Sequence, residues 1–352
     1  MTKETLKKQT KKTEEKIPSE LRLDTVSEDW VIVAKTRGKK PDAFKSHSKS
    51  AIIAKKDCAL CKLEEQLPPL LIFTRNEKIH NPKEIPSDWT TVVIPNKFPA
   101  LTPVNEIKVE TEGGIFEKVT AGGFCELVIT SDHDKYIADM ELWQVMQVID
   151  AYQQRYLDLM GEKFVKYISI FHNKGSMAGA SQPHNHSQII TTPLIDVSLK
   201  YSLVNAQKYW DENKKCLYCE MIRVEKKGGK RVFYENDDFI AFCPFASQAA
   251  FQIVITPKDH LPYFERITPE QKRNLAYILQ ISLQAIRKGL NDPDYNFYIK
   301  TSPCDNQDYK AYHWHLTIMP KTDRPAGFEI GTEMEICSIE PEKAAEFLRS
   351  QL

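Results

Sequence analysis
The feature that most constrains this chain is a repeated order of elements. Residues 123–133 and 250–260 both read as a β-branched strand that closes in Asp-His, at Asp132-His133 and Asp259-His260. An amphipathic helix pattern follows each: 141–159, with Leu142, Val145, Met146, Ile149 and Tyr152 on one face, and 269–290. Strands at 167–171 and 295–300 come next, and then a His-x-His, His184/His186 in the first copy and His313/His315 in the second. A Cys-x-x-Cys lies upstream in both, Cys58/Cys61 and Cys216/Cys219. His184 follows His133 by 51 residues, and His313 follows His260 by 53. Matched order and spacing predict two like units, hence an α+β fold of antiparallel sheets and packed helices in two pseudo-equivalent halves. The expected limits are a charged, disordered tail at 1–18, one half at 19–195 and the other at 196–352, with 194–215 connecting them.

Charge narrows the partners. Lys plus Arg and Asp plus Glu both total 48, so nothing in the net charge favours nucleic acid or a membrane surface, and anion recognition must be local. No stretch approaches the ~20 apolar residues of a membrane span, and the Lys-rich start lacks the apolar centre of a signal peptide. The expected address is the cytoplasm, where Cys-x-x-Cys pairs point to metal more than to disulfides. Tetrahedral zinc accepts two Cys and two His, so Cys58, Cys61, His133 and His184 form one candidate site. By the repeat, Cys216, Cys219, His260 and His313 form a second. Ordinary buried thiols and hydrogen-bonded histidines are the alternative at both.

Within Gln182-Pro183-His184-Asn185-His186-Ser187-Gln188, residues two apart on a strand share a face, which groups His184, His186 and Gln188. One histidine can be held while its neighbour reacts. A neutral imidazole at His186 can attack phosphorus and divide a transfer into two in-line steps, with Gln188 donating to a nonbridging oxygen. The small-residue segment 173–181, with Asn173, Gly175 and Ser181, would let backbone amides approach a diphosphate.

At these residues the chain resembles the galactose-1-phosphate uridylyltransferase family of the histidine-triad superfamily and the related ADP-glucose phosphorylases. The likeness runs from about residue 21 to the C-terminus. It includes Arg22 through Trp30-Val31 to Arg37, 96–101, 131–133, 173–188, 243–246, His313-Trp314-His315 and 326–332. The resemblance implies a duplicated histidine-triad fold, usually a homodimer, in which His186 is covalently nucleotidylated and passes the nucleotide to a hexose 1-phosphate. It also implies Asn96 and Phe98 beside the nucleotide, Asn173, Ser181 and Gln188 beside the phosphates, and Phe328 with Glu329 beside the sugar. Two positions depart from the family: Asn185 replaces the usual Pro between the histidines, removing a ring that stiffens the strand, and Lys300 stands where uridylyltransferases often have His. No Glu follows Gln188 closely, so the additional iron of some members is not expected.

The function expected first is therefore transfer of UMP between a UDP-sugar and a hexose 1-phosphate. An ADP-glucose phosphorylase would use the same intermediate with phosphate as acceptor. A nucleotide hydrolase and a non-catalytic zinc-binding module are the further alternatives.

Overall fold
A computed structural model describes residues 18–35, 39–46 and 53–352. The expected tail, up to Lys16 and Ile17, and Arg37 of the family motif lie outside these residues. The first half opens with β1 (Glu20–Leu23) and β2 (Trp30–Val33), followed by β3 (Leu71–Phe73), β4 (Lys78–His80) and β5 (Thr91–Pro95). A solvent-facing hairpin, β6 (Val109–Glu112) and β7 (Phe116–Val119), turns at Gly113 and Gly114, both at positive φ. Then come β8 (Cys125–Thr130), α1 (Leu142–Leu159), β9 (Tyr167–Lys174) and β10 (His186–Thr192).

The stretch read as a plain connection is mostly helix: α2 (Val197–Asn213), followed by α3 (Leu217–Gly228). The second half continues through β11 (Val232–Glu235), β12 (Phe239–Phe242), β13 (Ile253–Pro257), α4 (Pro269–Leu290), β14 (Tyr295–Lys300) and β15 (His315–Pro320). A short helix α5 (Gly327–Thr332), β16 (Ile336–Cys337) and α6 (Pro341–Arg349) close the chain. Both long core helices carry local start signals. Glu141 and Gln144 form a capping box on α1, and Thr268 and Gln271 form one on α4, where Pro269 also sits in the first turn.

The two halves share one sheet. Its order is β11-β12-β13-β15-β14-β9-β10-β8-β5-β3-β4, antiparallel throughout. Outward from the central β14–β9 pair, the same succession of elements appears on each side, which is the repeat made physical. The remaining small sheet, β1-β2-β16, ties the start of the chain to its end.

Strand alternation gives the large sheet two unlike faces. Val128, Ile189 and Ile255 point to the face covered by α1 and α4, in a core that also holds Val145, Ile149, Tyr152 and Leu283. Each such side chain, fully buried, contributes about 1.5–3 kcal/mol. The opposite face carries Ile129, in register with His186, and there the Cys58–Leu63 region packs over Ile72, Val92 and Ile94.

One ion pair clamps β8 to α1. Arg155 Nε and Nη2 donate to the two Glu126 carboxylate oxygens at 2.8 and 2.7 Å, and Nη1 donates to Asp158 at 2.6 Å. Burial pushes the Glu126 carboxyl above its ordinary range, against the pull of Arg155. Removing one partner would leave a buried charge unmatched, so Arg155→Met is expected to cost about 3–5 kcal/mol in urea unfolding. Adding Glu126→Leu should recover most of that loss; a double variant no more stable than Arg155→Met would disprove this account.

Candidate functional site
The Cys-x-x-Cys at Cys58 and Cys61 lies in a run of single 3-10 turns, and His133 sits in the turn leaving β8. His184 lies two residues before the start of β10. Strand pairing begins at His186 rather than at His184, so only His186 and Gln188 share a strand face in the way the sequence suggested. The peptide before β10 instead swings the His184 ring toward the cysteines.

Each histidine near the cysteines is oriented by a backbone carbonyl. His184 Nε2–H donates to Thr130 O at 2.7 Å, and His133 Nε2–H donates to Ile53 O at 2.7 Å. A carbonyl only accepts, so the proton is on Nε2 and each Nδ1 lone pair faces the sulfurs. The Nδ1 of His184 lies 3.5 and 3.3 Å from Cys58 and Cys61 Sγ, and that of His133 lies 3.2 Å from Cys61 Sγ.

The second cluster repeats the device. His260 and His313 donate from Nε2 to Lys310 O at 2.8 Å and to Pro257 O at 3.0 Å, with both Nδ1 atoms 3.6 Å from Cys219 Sγ. In each cluster the four donor atoms lie within 4.8 Å of one another. Tetrahedral bonds of ~2.3 Å to sulfur and ~2.0 Å to nitrogen would put donors roughly 3.3–3.8 Å apart, so the clusters have the size and donor set to hold a metal ion. The carbonyl partners supply the outer-shell hydrogen bonds that metal-binding histidines use. Shared hydrogen bonding between the two thiols drives Cys216 down and Cys219 up, and His260 and His313 add to the lowering at Cys216.

His186 is 5% exposed and its Nδ1–H donates to the carbonyl of His184 at 2.8 Å. That bond leaves Nε2 as the unprotonated nitrogen. Burial holds the His186 imidazole below its ordinary value, which favours the neutral ring. Gln188 follows on the same strand face. Behind the strand, Ser187 Oγ lies 2.5 Å from Tyr152 Oη and 3.0 Å from His172 Nδ1, a buried chain fixing β10 to α1 and β9. Asn185, 3% exposed, donates from Nδ2 to Thr130 Oγ1 at 3.2 Å.

The small-residue loop is held by the other half of the chain. Asn173 Oδ1 accepts from Asn296 at 2.7 Å, and Asn296 also donates to Ala178 O at 2.7 Å. Gly175 has φ +83°, and a Cβ there would overlap the Asp294 carboxylate, which accepts from Met177 N at 2.8 Å. The other predicted substrate residues make local contacts: Asn96 Oδ1 accepts from Phe98 N, and Glu329 accepts from Ala326 N at the start of α5. Phe98, Ser181 and Phe328 are exposed, Phe98 to 84%. Sequence reasoning missed Asp294 and the carbonyl partners Thr130, Ile53, Pro257 and Lys310. A backbone acceptor has no residue signature, so no motif could have revealed those four.

With this geometry in hand, comparison with known proteins gives a consistent result. Family models described as the galactose-1-phosphate uridyl transferase N-terminal and C-terminal domains match residues 8–195 and 202–350, and the chain belongs to that family. It is 33% identical to an ADP-glucose phosphorylase of Arabidopsis thaliana over 335 residues, covering 94% of this chain and 92% of that protein. It is 30% identical to a galactose-1-phosphate uridylyltransferase of Thermotoga maritima over 344 residues, covering 94% and 98%. A crystal structure of an Arabidopsis ADP-glucose phosphorylase with bound ADP-glucose superposes with a TM-score of 0.77 at 29% identity, covering 94% of this chain and 98% of the other. No helix among the described residues is long and apolar enough to cross a membrane.

Gly175 gives a direct test of how the loop is held. Its backbone (φ +83°, ψ 164°) lies in a region essentially confined to glycine. Gly175→Ala should lower unfolding free energy by about 1–3 kcal/mol from backbone strain alone. Adding Asp294→Ala should relieve the overlap and not the strain; a Gly175→Ala protein as stable as the original would contradict the assigned conformation.

Proposed function
We propose that the chain is a nucleotidyltransferase that works through a covalent nucleotidyl-His186. The observation that carries this reading is the His186 Nδ1–H bond to the His184 carbonyl, because it aims a lone pair at Nε2. In the first step Nε2 attacks the α-phosphorus of a nucleoside diphosphate sugar, the P–N bond forms, and the bond to the β-phosphate oxygen breaks to release sugar 1-phosphate. In the second, an acceptor oxygen attacks the same phosphorus from the opposite side and the P–N bond breaks. Two inversions leave configuration retained. Gln188 donates to a nonbridging oxygen, the 173–181 loop with Asn173, Gly175 and Ser181 receives the diphosphate, Asn96 and Phe98 flank the base, and Phe328 with Glu329 meets the sugar.

The leading substrates are a UDP-sugar and a hexose 1-phosphate, supported by family models matching both parts of the chain. Adenylyl transfer from ADP-glucose to phosphate is the second reading, supported by the 33% identity to the plant phosphorylase. Two metal sites are proposed, Cys58, Cys61, His133 and His184 for one, Cys216, Cys219, His260 and His313 for the other, each fitting Zn2+. A metal ion bound by Cys58, Cys61, His133 and His184 would fix His184 in place, and with it the carbonyl that orients His186. The boundary between halves is placed near residue 195, between β10 and α2. A cytoplasmic homodimer is proposed as well; eight free cysteines fit a reducing compartment.

Incubation with UDP-glucose or ADP-glucose labelled at the α-phosphate should leave label on the protein, and His186→Asn should abolish it. The nucleotide that labels faster decides between the two readings. Absence of label with both, or equal labelling of His186→Asn, would refute the covalent route. Elemental analysis should find about two zinc per chain. Cys58→Ser should lose one of them and lower the melting temperature, and Cys216→Ser should lose the other. No zinc, with Cys58, Cys61, Cys216 and Cys219 all titrating as free thiols, would overturn both sites.

A further inference from the structure
The half that lacks His186 contains a half-open cleft of roughly 110 Å³ at its corresponding position. His315 stands at the start of β15 as His186 stands at the start of β10, and both the sheet floor and the roof of the cleft can be named. The floor is Tyr298, Lys300, His315 and Thr317; the roof is α2, α3 and the 24–29 loop.

The lining is chemically divided. Lys300 pairs across the sheet with His315, and among the described residues it makes no ion pair; its ammonium donates to Ser198 Oγ at 3.1 Å in the first turn of α2. His315 Nδ1 approaches the His313 carbonyl at 3.4 Å, so its Nε2 is the nitrogen available as an acceptor. Met221, Ile222, Phe242 and Pro244 supply an apolar wall to the same cleft. The acids at the cleft are Asp24 and Asp29. Asp24 Oδ1 accepts the Val26 and Ser27 amides at 2.8 and 3.1 Å within its own turn, and Asp29 is exposed. Neither pairs with Lys300.

We propose that this cleft is a second ligand site, one that binds the phosphoryl end of a phosphate monoester with a hydroxylated body. Lys300 takes the phosphoryl group, His315 Nε2 accepts from a hydroxyl, and the apolar wall covers the less polar face of the ligand. The assignment does not rest on nucleotidyl transfer at His186, which is read separately by protein labelling.

The test is hydrogen exchange and calorimetry on the full zinc-loaded chain with glucose 1-phosphate, AMP and inorganic phosphate as probes. At least one ester should protect the 24–29 loop and the first turns of α2 and α3, distinct from any protection at 173–188. Lys300→Met should remove that protection and weaken the corresponding binding about tenfold or more, as loss of a charged hydrogen-bond donor does. Lys300→Arg should keep it. Protection confined to 173–188, or undiminished binding by Lys300→Met, overturns the proposal. So does equal binding of inorganic phosphate and both esters, which would mean an anion hole alone. Should Lys300→Met fail to fold, the exchange pattern of the unaltered chain and Lys300→Arg still decide.

Discussion

The site depends on both ends of His184. Its imidazole donates to Thr130 O and thereby turns Nδ1 toward Cys58 and Cys61. Its own carbonyl accepts the Nδ1 proton of His186. One residue therefore links the β8 terminus, the cysteine turns and the proposed nucleophile. Moving the His184 peptide would disturb the tautomer of His186 as well as its position, because the carbonyl is what keeps the proton on Nδ1. The Ser187 contacts to Tyr152 and His172 on the opposite face limit such movement from behind.

Duplication explains why the two clusters share one construction, and divergence explains why the halves differ in chemistry. The Nδ1 to carbonyl distance is 2.8 Å at His186 and 3.4 Å at His315, so the second imidazole is less firmly oriented. On the sheet face carrying these histidines, the second half is roofed by α2 and α3, whereas in the first half the Cys58–Leu63 region packs over part of that face. The continuous sheet makes the halves mutually dependent. Asn296 and Asp294, both near the start of β14, hold the loop that follows β9.

Much of this order was legible. The 269–290 pattern coincides with α4, the 141–159 pattern contains α1 with Glu141 as its cap, and Tyr295–Lys300 is a strand as read. All four predicted members of each Cys/His cluster come together. The helix α2 was not seen because its apolar residues are on the unexpected side. Val197, Tyr201 and Val204 are exposed while Ser202 and Ala206 are buried with Leu199 and Leu203, so neither face shows a clean stripe. Fusion into one sheet was also hidden: β9 and β14 meet as central strands, and strand pairing across a repeat leaves no mark in either sequence. The register differs too from a simple alignment of Tyr167 with Tyr295. Lys300 pairs with His315, but His172 pairs with Ser187, one residue later in the His-x-His motif.

Asn185 shows how a departure from the family pattern can be absorbed. A proline between the two histidines would fix φ and needs no hydrogen-bond partner at its nitrogen. Asn185 has more freedom in the unfolded chain, so ordering it costs more entropy. Its buried Nδ2 bond to Thr130 Oγ1 opposes that loss at the residue whose carbonyl also orients His184. Thr130 thus restrains consecutive residues by two different atoms. The remaining cost is visible as well: Asn185 Oδ1 is buried without a hydrogen-bond partner among the described residues. The amide therefore substitutes a side-chain tether for a covalent ring, and the stiffness of this segment comes to depend on the end of β8 as much as on its own backbone.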